Sequence, residues 1–244
     1  MNVVTTPATS GWGCITASLT RIYYELKLML GVQHLIVVGL LAVTVFGFND
    51  QIANWLGRGE HVLYARAFVE MVVPLLATLG FGHILSIERQ VGMGEIEGSY
   101  PAPNWITVGL RTLLALTLIY MATGVALWLL DGAFLAVFSA DPFTVAEAAL
   151  RVIKVSLPPT LFLLGLTWAV GTAISAPVGA GVAVGYWFFN SVNRGELTGV
   201  FYLYQATFPN HNLQWEVTRW GLLLGGLALS LAAAAVRSRQ WLAN

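Results

Sequence analysis

Residues 155–193 read VSLPPTLFLLGLTWAVGTAISAPVGAGVAVGYWFFNSVN, 39 positions without an Asp, Glu, Lys or Arg. As a helix this run is about 58 Å long at 1.5 Å per residue, roughly twice the hydrocarbon thickness of a bilayer. Pro177 marks a natural break, because an interior proline removes a helical hydrogen bond and clashes with the preceding turn. The run therefore reads as two spans joined by a tight hairpin. Outward from it lie four more uncharged runs of bilayer length: Leu28–Asn49, Met71–Ile87, Thr112–Leu130 and Trp220–Val236. The expectation is an all-α membrane protein with six transmembrane helices, forming one membrane domain over residues 1–244.

Composition agrees. The chain is 57% hydrophobic and 10% charged, whereas a soluble domain carries about a quarter charged residues. Its 12 Lys and Arg balance 12 Asp and Glu and are scattered singly, so no basic stripe exists to meet a phosphate backbone, and nucleic acid is not an expected partner. One cysteine, Cys14, excludes an intrachain disulfide framework, and no Cys and His pair falls at zinc-ligand spacing. The first charge is Arg21 and the strong apolar run begins after it, so the first span is expected to stay as an uncleaved anchor.

Ahead of that span, Ile15, Leu19, Ile22, Leu26 and Leu30 recur at three- and four-residue steps around Arg21, Glu25 and Lys27. This pattern predicts an amphipathic interfacial helix over residues 14–27, the competing reading being an extension of the first span. Trp105 and Trp128 flank the third span and Trp220 opens the sixth, as interfacial rings do, but Trp168 falls mid-span. Between the third and fourth spans, Asp141 and Pro142 look like a helix cap and first helical residue, predicting a short surface helix with Glu147 and Arg151 one turn apart. An even number of spans puts both termini on one side. The count of basic residues does not choose the side: Arg21, Lys27, Arg89, Arg111, Arg237 and Arg239 on one face are matched by six on the other.

The stretch between the second and third spans, residues 88–105, reads ERQVGMGEIEGSYPAPNW. It is short, glycine-rich and net acidic, which is unusual for a short loop that only fixes topology. Here the chain resembles the permease subunits of type-2 ATP-binding-cassette exporters. That family carries E-R-E, then G-T-x-E, then a small residue and a proline, then a basic residue inside the next span. This sequence has Glu88-Arg89-Gln90, Gly92-Met93, Glu95, Ser99, Pro101 and Arg111. The run LGLTWAVGTAISAPVGAGVAVGYW is similar to the family's tight hairpin between its fourth and fifth spans. The sequence departs from the pattern at Gln90 and Met93 and in the extra glycines Gly94 and Gly98.

The resemblance implies a subunit of an exporter in the cytoplasmic membrane, with both termini, the 88–105 loop and the 176–178 turn in the cytoplasm. Residues 88–105 would form a coupling segment that docks on a separate ATPase subunit, with Glu88, Arg89, Gly92, Glu95, Glu97 and Pro101 as its contact and shaping residues. Arg111 would anchor that segment, its long stem reaching toward the headgroups. ATP and Mg would be bound by the partner ATPase, and a second permease, identical or sister, would complete the path through the lipid bilayer.

Motif absences fit this division of labour. Lys27 and Lys154 are the only lysines and neither follows a glycine, so no phosphate-cradling loop is present. No Gly-x-Ser-x-Gly elbow and no His-Glu-x-x-His pair occurs, so no catalytic residue and no metal site is proposed and the chain is not expected to be an enzyme. Ionisable residues inside spans carry cost and often function. Glu70 follows Arg66 by one helical turn at the outer end of the second span and reads either as half of a surface ion pair or as a group lining the path. His34 and His83 fall at similar depth on antiparallel spans, so a bis-histidine haem protein is a rival reading that a Soret band would reveal. A non-transporting membrane scaffold is another. In the extracytoplasmic segment 194–218, Phe201, Tyr202, Tyr204, Phe208 and Trp215 read either as an outward gate, with Tyr202 and Tyr204 at its centre, or as an aromatic belt.

Overall fold

The computed structural model describes residues 20, 22–23, 26–27, 68–84, 104–129 and 145–242. These residues are mostly helical and contain no strand. A π-helical turn, Phe68–Val72, leads into α1, Val73–Phe81; α2 is Asn104–Leu129, α3 Val145–Ala173, α4 Ala176–Asn193 and α5 Trp215–Leu242. Two stretches, Val152–Ala173 and Trp215–Arg237, are long and apolar enough to cross a membrane, and Val69–Phe81 and Val108–Gly124 are shorter apolar helices.

The long uncharged run divides where the sequence suggested. α3 ends at Ala173, Ser175 is extended, and α4 begins at Ala176 with Pro177 in its first turn, where the missing N–H has no intrahelical acceptor to lose. The hairpin is tight because Gly179 lies on the backbone of α3: a Cβ there would stand 2.3 Å from the Thr167 carbonyl oxygen and 2.7 Å from the Gly171 nitrogen. α3 and α5 approach as closely, since a Cβ on Gly165 would meet the Gly226 carbonyl oxygen at 2.5 Å. Small residues let helix backbones come together where dispersion, not water exclusion, is the attractive term.

Several boundaries differ from the sequence expectation. Glu147 and Arg151 do not belong to a separate short helix: Val145–Ala173 is one helix, with Pro158 and Pro159 inside it, and Asp141 and Pro142 lie outside the described residues. α5 starts at Trp215 and takes in Glu216 and Arg219, so the helix that contains the apolar run 220–236 carries charge in its first two turns. α1 stops at Phe81, short of Ile87. Side chains from other helices meet the carbonyls at and just after its end: Trp168 Nε1 donates to the Phe81 oxygen at 3.1 Å, beside the Ile84 N–H, and Arg111 Nη1 donates to the Ile84 oxygen at 3.3 Å. This explains the mid-span Trp168, which is fully buried and serves as a cap.

The buried apolar residues form two clusters. Val69, Val73, Leu76, Ala77 and Phe81 join Ala115, Ile119, Leu164 and Trp168 in one; Phe162, Leu163, Ala183, Tyr202, Leu203, Tyr204 and Leu222 form the second. Hydroxyls in these helices are satisfied locally, as Thr78, Thr123, Thr160 and Thr167 each donate to the carbonyl four residues earlier. Of the predicted interfacial helix, residues Thr20, Ile22, Tyr23, Leu26 and Lys27 are described; all are helical, with Ile22 and Leu26 half-buried and the other three exposed.

Candidate functional site

Glu70 sits in the centre of the π-helical turn and has no solvent exposure. Single π turns are rare and recur at functional positions, because the extra residue rotates side chains off the regular helical face. A carboxylate buried this deeply must be paired and hydrogen-bonded to keep its charge. Glu70 is both. Oε1 accepts from the Ala206 N–H at 2.9 Å and from Arg219 Nη2, which makes the ion pair. Oε2 accepts from the Thr207 N–H and from the Thr207 hydroxyl, each at 2.7 Å.

Arg219 is placed by a defect in the neighbouring helix. Pro159 has no N–H, so the Val155 carbonyl four residues earlier loses its helical donor. Arg219 Nη1 donates to that oxygen at 3.1 Å, and the guanidinium lies 4.0 Å from the Trp215 ring centroid. The fork of the guanidinium thus reaches α3 with one arm and Glu70 with the other, which a lysine ammonium does not reproduce.

The segment between α4 and α5, residues 194–214, covers this pair and is held by its own side chains. Arg194 takes a left-handed backbone and Gly195 follows at φ 84°, where a Cβ would stand 2.7 Å from Tyr202 Cγ. Tyr202 donates to the Phe208 oxygen at 3.0 Å. Gln205 Nε2 donates to the Asn210 and Leu213 oxygens, and Asn210 Nδ2 donates to the Arg194 oxygen. Toward α4, Tyr204 donates to the Trp187 oxygen at 2.7 Å and Tyr186 to the Phe201 oxygen at 2.9 Å, while Asn190 Oδ1 accepts from the Leu203 N–H. Tyr202 and Tyr204 meet edge to face. Burial first, and the Glu70 charge second, push the Tyr202 phenol up to about 12, with Arg194 opposing; the same two causes raise Tyr204.

The expected site residues are distributed as follows. Glu70 comes together with the segment that carries Tyr202 and Tyr204, through Ala206 and Thr207. Glu70 is not half of a surface pair with Arg66, which lies outside the described residues: it is buried, and its partner is Arg219, 149 positions along the chain. Tyr202 and Tyr204 are fully buried, while Phe201 and Phe208 are 39% and 38% exposed, so a belt facing outward fits the phenylalanines only. Arg111 is buried at 2% exposure and donates to the Ile84 carbonyl. Glu88, Arg89, Gly92, Glu95, Glu97 and Pro101 lie outside the described residues, as does His34; His83 is half-buried in the turn after α1. No cluster of three potential metal ligands occurs among the described residues.

Arg219 is the residue that sequence reasoning missed, because it bounds the apolar run Trp220–Val236 and was counted only as a topological charge. The signal was present: Glu70 and Arg219 are opposite charges at the outer ends of two predicted spans, where an ionisable group calls for a named partner. No protein-family model matches the chain, and neither the curated proteins nor the solved structures compared with it contain a match.

Proposed function

We propose that this chain is the transmembrane subunit of an ATP-binding-cassette exporter, with six spans and an interfacial helix at the N-terminal end. It forms half of the translocation path and works with a second permease, identical or sister. ATP and Mg are bound and used by a separate ATPase subunit, and the protein resides in the cytoplasmic membrane with both termini in the cytoplasm.

The observation that carries this reading is the α3–α4 hairpin, whose sequence is the second element of the family resemblance and whose Gly179 seats one helix on the backbone of the other. The bonds on either side of residues 88–105 add mechanical support. Trp168 and Arg111 fasten the end of α1 to α3 and α2, so a push on a loop joining α1 to α2 moves packed helices as a body and is not lost in a flexible joint. Glu88, Arg89, Glu95 and Glu97 give that loop charges for a complementary partner surface, with Gly92 and Pro101 shaping its turns and Arg111 anchoring it.

The test is purification from native membranes. The chain is expected to bring down an ATPase subunit, and the variant Glu88→Lys/Glu95→Lys is expected to lower the ATPase activity of the complex. An unchanged activity in that variant, or labelling of a cysteine in 88–105 only from outside the cell, overturns the docking role.

A further inference from the structure

The segment 194–214 is built as one piece. Its bonds among Arg194, Tyr202, Gln205, Phe208, Asn210 and Leu213 are internal, which is the construction of a compact loop that keeps its shape when it moves. Its contacts with α4, through Tyr186, Trp187 and Asn190, involve the helix it leaves. The hydrogen bonds that tie it to the distant 68–84 segment converge on one group: the Ala206 N–H, the Thr207 N–H and the Thr207 hydroxyl all end on the Glu70 carboxylate. The π turn that presents Glu70 and the prolyl defect that orients Arg219 are two independent departures from regular helix serving the same contact.

We propose that Glu70 is a latch and the 194–214 segment a strap that opens as a unit when the latch is released. Arg219 is its positioning residue: anchored on the Val155 carbonyl and the Trp215 ring, it holds the carboxylate in line with the strap's donors. Release uncovers the part of the second cluster that lies beneath the strap, including Ala183 and Leu222, while the cluster around Ala115 and Leu164 stays closed. The latch stands on this geometry alone and does not depend on the exporter reading.

The experiment uses the purified full-length chain in detergent micelles, with Cys14→Ser as background and two buried reporters made separately. Ala183→Cys lies under the strap and Ala115→Cys in the other cluster; both alanines are fully buried. Maleimide labelling of the Ala183→Cys reporter is expected to be slow with Glu70 intact and at least about tenfold faster with Glu70→Gln, equivalent to ~1.4 kcal/mol of easier opening. Thr207→Val removes one strap donor and leaves the ion pair in place; it is expected to raise the same rate by about threefold. The Ala115→Cys reporter is expected to stay slow in both. If both reporters speed up together, Glu70 only stabilises the whole fold and the latch is overturned. If the Ala183→Cys reporter is unchanged in Thr207→Val and in Glu70→Gln, the strap does not hang on this contact and the proposal is equally overturned.

Discussion

Replacing Arg219 by methionine is expected to be among the most damaging single changes in the described part of the chain. The side chains of Arg219 and Glu70 are 5% and 0% exposed, so little solvent screens the charge left behind. Removing one partner of a buried pair costs about 3–5 kcal/mol, because the other is stranded. The three donors that remain on Glu70 hold the estimate to that range and not above it. The Val155 carbonyl also loses the donor that replaces the missing Pro159 N–H, worth ~1 kcal/mol. Together these are about 4–6 kcal/mol; for a chain of this size the melting temperature falls by roughly 2–4 °C per kcal/mol, so a drop of roughly 8–24 °C is expected. The assay is thermal unfolding in detergent, followed by loss of the monodisperse peak in size-exclusion chromatography. A double-mutant cycle with Glu70→Met separates the pair from the surroundings: with both charges gone, the double variant is expected to recover at least about 1.5 kcal/mol relative to the sum of the singles. A loss under about 1 kcal/mol in Arg219→Met, or strict additivity in the cycle, refutes the assignment of the pair.

The hairpin glycines give a paired prediction. Gly179→Ala is expected to destabilise by about 1–3 kcal/mol or to prevent folding, since its Cβ meets backbone atoms that have nowhere to go. Gly181→Ala, two residues away with nothing within 4 Å of its Cβ, is expected to be neutral or to stabilise by about 0.5–1 kcal/mol, and the same thermal assay compares them. Trp168→Phe keeps an aromatic ring but removes one of two donors to the Phe81 oxygen, the Ile84 N–H remaining, and is expected to cost about 0.5–1.5 kcal/mol for the lost hydrogen bond. At alkaline pH the Tyr202 phenol, raised from 10.0 to about 12, holds its proton longer in the folded state than in the unfolded one. Its contribution to stability is complete below about pH 10 and is lost as pH rises toward 12; Tyr202→Phe is expected to flatten that part of the melting-temperature profile.

The sequence by itself determined the helical class, the division of residues 155–193 into two helices, and the neighbourhood of Pro177 as the turn. Those features depend on run length, charge absence and proline stereochemistry, which are local properties of the chain. It also marked Glu70, Tyr202 and Tyr204 as residues of interest, but not the reason they matter. Local spacing offered Glu70 the partner one turn away, Arg66; tertiary structure gave it Arg219 on another helix, because a charge with no exposure takes the partner that can share its buried site. The same holds for Trp168, whose depth looked anomalous until the Phe81 carbonyl was seen across the bundle. Pro159 completes the pattern. Its missing N–H was readable in the sequence, but which side chain would fill the vacancy on Val155 was decided only when α5 packed on α3, since a freed carbonyl specifies that a donor must come and not where in the chain it comes from.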